Sequence, residues 1–190
     1  MLNDLLSNIQ HGIDHVLNVK AYDHILFLIV LVVPYVFKDW KRVLFLITIF
    51  VVGHTVSLAF ATYDVISVSK KWTSFLIPLT ILVIALFNVF TGGRKAQSEK
   101  VGLLFFVTLF FGLVHGLGFV HIFESTIGSS QNKLLALLEI SLGFEIGQLI
   151  VAFVVLFLGF LCQTLFRFSK RDWAMVISAI VVGVLIPMLI

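Results

Sequence analysis

An all-α, polytopic membrane bundle of about six transmembrane helices is the fold class this chain predicts. Three observations carry it. Of the 190 residues, 60% are hydrophobic and the mean hydropathy is +1.13, more apolar surface than a soluble domain of this size can bury. Charged residues make up only 12% and sit between long apolar runs. Those runs approach the roughly 20 residues that a helix needs to cross a hydrocarbon layer.

The spans are expected near Tyr22–Phe37, Lys41–Thr62, Trp72–Phe90, Val101–Phe123, Leu134–Phe166 and Trp173–Ile190. The first is short and contains Pro34, which predicts an irregular inner end. The fifth is too long for one perpendicular helix, so tilt, a kink near its glycines or projection from the bilayer is expected. Trp40, Trp72 and Trp173 fall at span ends, where indole rings favour the headgroup region. Ahead of the first span, Leu2, Leu5, Leu6, Ile9, Ile13 and Val16 recur at helical spacing, with Asn3, Asp4, Ser7, Asn8, His11 and Asp14 opposite. Residues 1–20 are therefore expected as an interfacial amphipathic helix, and 21–190 as a single transmembrane helical domain. The first residues carry no basic segment, apolar run or small-residue cleavage site, so they are expected in the mature chain.

Loop charge orients the spans. Lys38, Lys41 and Arg42, then Arg94, Lys95 and Lys100, then Arg167, Lys170 and Arg171 put nine of the 13 basic residues on alternate loops. Both termini are then expected outside, with the basic loops in the cytoplasm. The net charge of +3 is not clustered on a polar segment, which argues against nucleic acid as a partner. Cys162 is the only cysteine, so disulfides and thiolate metal sites are excluded.

In this orientation all six histidines fall on the outer side. Asp23 and His24 open the first span. At about 1.5 Å per residue, His54 lies about 20 Å up the second span and His115 at a similar height on the fourth. His121 and Glu124 sit near the outer mouth of that span, and Glu139, Glu145 and Gln148 occupy the outer part of the fifth. Imidazole nitrogen with carboxylate suits a divalent transition metal. The ligand candidates are Asp23, His24, His54, His115 and Glu145, with Gln148 and Ser141 as orienters. His11, Asp14 and His15 share a helical face and could also chelate. Gly112 and Gly116 bracket His115, and Gly143 and Gly147 bracket Glu145, spacing that permits close helix approach. The bland readings stand beside these. A lone membrane histidine can bond a backbone carbonyl, the layer can be a salt-linked knot between helices, and the glycines can serve packing alone. His11 and His15 can be a solvated face, and His121 and Glu124 a wetted helix end.

The motifs Ala21-Tyr22-Asp23-His24-Ile25-Leu26-Phe27-Leu28, Gly53-His54-Thr55, Gly112-Leu113-Val114-His115-Gly116-Leu117-Gly118-Phe119 and Gly143-Phe144-Glu145-Ile146-Gly147-Gln148 together resemble the HupE/UreJ family. Those are small integral membrane proteins linked to hydrogenase and urease maturation and regarded as nickel permeases. The resemblance implies that Asp23 and His24 match the family's Asp-His pair and His54 its second-helix histidine. It likewise implies that His115 matches the histidine of its His-Gly motif and Glu145 its glutamate. His15 matches an upstream histidine, with seven residues before Asp23 where members often have five, the mark of a divergent branch.

A nickel or zinc permease in a bacterial inner membrane is the first expectation, with metal ion and lipid as partners and both termini in the periplasm. Its difficulty is the inner half, where Thr48, Asn88, Thr108, Ser178 and Thr164 are the polar groups and none ionises. The alternative is an outward-facing, metal-dependent intramembrane hydrolase, with Glu145 or Asp23 accepting a proton. A third reading is a non-transporting metal sensor or assembly partner. No catalytic residue is assigned.

Overall fold

The computed structural model describes residues 2–19, 22–93, 101–127 and 132–189. The sequence assignments for Arg94, Lys95 and Lys100 lie outside them. The chain forms α1 (Leu2–Val16), α2 (Asp23–Val32), α3 (Trp40–Thr62), α4 (Lys70–Thr91), α5 (Val101–Thr126), α6 (Lys133–Leu165) and α7 (Lys170–Leu189). No strand occurs among the described residues. The five helices α3 to α7 are long and apolar enough to cross a membrane. Their exposed faces carry Phe45, Val52, Phe60, Phe110, Phe153, Phe157 and Ile180, side chains that only lipid would solvate.

The first expected span is where the count departs from six. Helix α2 is 10 residues long, about 15 Å, or half of a hydrocarbon core. Pro34 is the cause. It has no N–H to donate to the Val30 carbonyl one turn back, so the helix stops at Val32. That carbonyl instead accepts from Asn88 Nδ2 on α4 at 2.7 Å. Val33, Pro34 and Tyr35 continue as buried, non-helical backbone to a short 3-10 turn at Phe37–Asp39. Such backbone is tolerated at membrane depth only when surrounded by protein. Accordingly α2 packs against α4, α6 and α7, and buries His24, Leu26, Phe27, Leu28, Val30, Leu31 and Val32.

The end of the bundle next to this break carries the described basic loops. Gly92 and Gly93 close α4 with φ of 58° and 69°, a conformation glycine adopts freely. The Arg171 side chain passes over Gly92, while Gly93 meets Pro34 and Ala174. The long α6 is capped at its start by Asn132, whose side chain accepts from the Leu134 and Leu135 amides. Its 33 residues span about 50 Å, more than a hydrocarbon core. The first half of that length is covered by α1, which runs beside it in the same direction.

Helix α1 does not use its leucine face for this contact. Its buried residues are Asn8, Gly12 and Val16, while Leu2 and Leu6 are exposed. Gly12 lies against the Ile140 carbonyl and Gly143, Gly143 against the Ile9 carbonyl, and Gly147 against Val16. Asn8 Nδ2 donates to Glu139 Oε2 at 2.7 Å. Backbone proximity through glycine, with a polar anchor, is how helices adhere where no hydrophobic drive acts between them.

Helices α3 and α5 meet the same way and in parallel. Gly53 abuts Leu109, Gly112 abuts the Phe50 carbonyl, and Gly116 abuts the His54 carbonyl and Ser57. A methyl group at Gly116 has backbone to displace. Gly116→Ala is expected to destabilise the fold by roughly 1–3 kcal/mol, read as a lower thermal midpoint in detergent. Gly183→Ala, whose methyl group meets nothing within 4 Å, is the matched control and should hold or slightly exceed the wild-type midpoint.

Candidate metal centre

Three helix approaches bring the imidazoles together. The α1–α6 contact carries His15 inward, the α3–α5 contact holds His54 and His115, and α2 delivers His24 between them. His24 is the hub. Its ring centroid lies 4.6 Å from His15, 5.8 Å from His54 and 5.7 Å from His115. His15, His24 and His54 each present a ring nitrogen, and these three lie within 4.8 Å of one another.

Asp23 organises the hub. Its Oδ1 accepts from the His24 backbone N–H at 3.0 Å and lies 3.3 Å from His24 Nδ1. A proton on Nδ1 shared with this carboxylate leaves the Nε2 lone pair directed away from Asp23, which is how a carboxylate sets a ligand tautomer. Asp23 is only partly buried, while His24, His54 and His115 are 4%, 1% and 1% exposed.

No hydrogen-bond partner among the described residues meets His15 Nε2, His24 Nε2, or either ring nitrogen of His54 and His115. A buried polar atom left unpaired costs roughly 1–3 kcal/mol, so six in one cluster would burden the fold heavily if nothing bound there. The donor chemistry fits a cation. Burial and the neighbouring His24 also push the His15 pKa down to about 3, against the pull of Asp23, so that imidazole is a neutral donor at any ordinary pH.

Aromatic rings wall the cluster on two sides. One turn beyond His24 and His54, toward the basic end, Phe27 and Phe50 stack with centroids 4.3 Å apart. Both touch His115, at 5.0 and 5.2 Å. On the other side Phe119 and Phe144 meet edge to face at 5.1 Å, with Phe119 4.2 Å from His15 and Phe144 4.6 Å from His54. All four are at most 2% exposed.

Of the remaining sequence candidates, Glu145, Ser141, His121 and Glu124 have partners of their own. Glu145 accepts from Thr48 Oγ1 at 2.7 Å, at the half-exposed flank where α6 crosses α3. The glycines on either side of it pack on α1. Ser141 is engaged with Thr55 Oγ1 and the Leu137 carbonyl, both at 2.7 Å. Gln148 is 1% exposed and its Oε1 has no partner among the described residues. His11 is exposed. His121 and Glu124 face each other at 4.0 Å in an open cleft of about 230 Å³ that Asp64 also lines.

The sequence offers His15 only as a chelator beside His11 and Asp14, and the structure puts its ring nitrogen within 4.8 Å of those of His24 and His54. The available signal was Gly12, one turn ahead of it, whose missing side chain lets α1 approach α6.

A family profile described as HupE / UreJ protein matches residues 1–189. The chain belongs to the HupE/UreJ family. No curated protein and no solved structure matches it. Family membership and the five apolar helices make this HupE/UreJ chain a multi-pass membrane protein with a metal-related role, for which a divalent ion is the implied ligand.

The unpaired nitrogens set a stability test. His54→Leu removes two of them at nearly constant volume, so the metal-free variant is expected to unfold at the wild-type temperature or above. A markedly lower midpoint without metal would mean that His54 makes a stabilising bond within the protein.

Proposed function

We propose that this HupE/UreJ chain is a permease for a divalent transition-metal cation of the nickel type, loaded at a cage of His15, His24 and His54. His115 and Asp23 flank the cage, Asp23 balancing part of the cargo's charge. The carrying observation is the convergence of buried ring nitrogens, from three separate helices, with no partner among the described residues. Neutral imidazole holds nickel and zinc alike, and the absence of thiolate disfavours softer ions.

The positive-inside rule supports a cytoplasmic position for the basic end and an outward position for the cage, in a bacterial inner membrane. Asp64, His121 and Glu124 line an open cleft toward the outer side, where the two carboxylates would gather cations. The paired phenylalanines enclose the cage from both sides. That enclosure supports an occluded transport intermediate over an outward-facing hydrolase, whose substrate must reach the metal through a cleft.

Metal should raise the thermal midpoint of the wild-type protein, by about 2.7 kcal/mol of stability at a hundredfold excess over Kd. His24→Ala, which removes the hub, should lose that shift together with nickel accumulation in proteoliposomes. Glu145→Gln should retain the shift, with affinity changed by less than about tenfold, because Thr48 already occupies that carboxylate. Tight metal retention without accumulation by the wild-type protein would replace the permease with the hydrolase or sensor.

A further inference from the structure

The buried hydroxyls of this protein follow a habit that one of them breaks. Ser57, Thr62, Thr73, Thr80 and Ser141 each donate to a carbonyl three or four residues back in their own helix, the ordinary recourse of such side chains. Ser178 on α7 is 0% exposed, yet its Oγ has no hydrogen-bond partner among the described residues.

Its surroundings follow from the contacts at the α2 break. At Gly93 an added Cβ would lie 3.1 Å from both Pro34 Cβ and Ala174 Cβ, so α4, α7 and the chain leaving α2 meet there. About one turn away from the basic end along each element come Ser178 on α7, Asn88 on α4 and the Val30 carbonyl on α2. Asn88 is 1% exposed and bonded to that carbonyl. A hydroxyl, a carboxamide and the end of a broken helix thus share one level of the apolar half.

We infer that Ser178, Asn88 and the carbonyls of α2's last turn form a second, all-oxygen station for the divalent cation on its way from the cage to the basic end. The inference rests on the permease reading. Its physics is that of α2 as a dipole. The cage sits at the helix N-terminus, where partial positive charge opposes a cation and Asp23 compensates. The station sits at the C-terminus, where carbonyl oxygens attract one. Six residues separate His24 from Val30, about 9 Å along the axis. Between them lies the Phe27–Phe50 stack, the barrier that must part for the cation to pass. Hydroxyl, amide and carbonyl oxygens hold a nickel-type ion less firmly than imidazole, which suits a site of release. Discontinuous helices supply backbone carbonyls to cations in this way in other transporter folds.

The test uses full-length protein in liposomes with an entrapped nickel-responsive dye, together with nickel titration and thermal unfolding in detergent. Ser178→Ala deletes an unpaired hydroxyl, so a purely structural role leaves transport intact and stability unchanged or higher. The station instead requires the variant to bind nickel at the cage with wild-type affinity and keep its midpoint, while initial uptake falls about tenfold or more. Ser178→Asp should hold a second equivalent of nickel and slow uptake by trapping it. Wild-type uptake in Ser178→Ala, or no second equivalent in a folded Ser178→Asp, would overturn the station and leave the permease standing. Failure of the wild-type protein to accumulate nickel would remove the permease reading itself, and the station with it.

Discussion

Water is absent from the interior of a membrane bundle, so each polar group there must be satisfied by the chain or by something the chain binds. Nearly all of this architecture can be followed from that constraint. Hydroxyls turn back onto their own helices, Asn88 takes up the carbonyl that Pro34 frees, and Thr48 takes up Glu145. What is left over is concentrated. Among the described residues four imidazoles hold unpaired nitrogens in one cluster, and the proposed cage rests on them.

Placing those groups is a matter of backbone distance rather than of side-chain affinity. Between apolar helices in lipid the hydrophobic effect contributes little, and close contact comes from glycine. Gly53, Gly112 and Gly116 let α3 and α5 touch, and Gly12 and Gly143 do the same for α1 and α6. The two contacts bracket α2, the helix buried on nearly all sides. Each imidazole therefore rests on a different rigid element, an arrangement that holds a coordination geometry better than one helix with several histidines. Four phenylalanines then exclude lipid and solvent from the cluster.

Helix α2 ties the two halves of the bundle together. It starts at the imidazoles and ends at a proline, and its field runs from one to the other. A full-length helix in that position would cross the membrane as an inert span. Its interruption leaves carbonyls of its last turn to be met by Asn88 Nδ2 and the Tyr35 amide, in the half of the protein next to the basic loops. The poverty of polar side chains toward the basic end is thus partly made good by the main chain.

Composition and hydropathy alone determined the fold class, because the free energy of placing so much apolar surface in lipid does not depend on detail. The motifs placed the family, and helical rise brought Asp23, His24, His54 and His115 to one level. Pro34 already announced an irregular end to the first span. Which atoms face one another was decided only in the tertiary structure. Gly143 and Gly147 looked like a bracket around Glu145, yet they serve α1, and the carboxylate turns to Thr48. His15, on a short amphipathic segment, looked peripheral, yet α1 packs through its small and polar side and carries that ring inward. Sequence spacing reports depth and face along one helix. The rotation of a helix against its neighbours comes from contacts between distant residues, and so the set of imidazoles that share a cage does too.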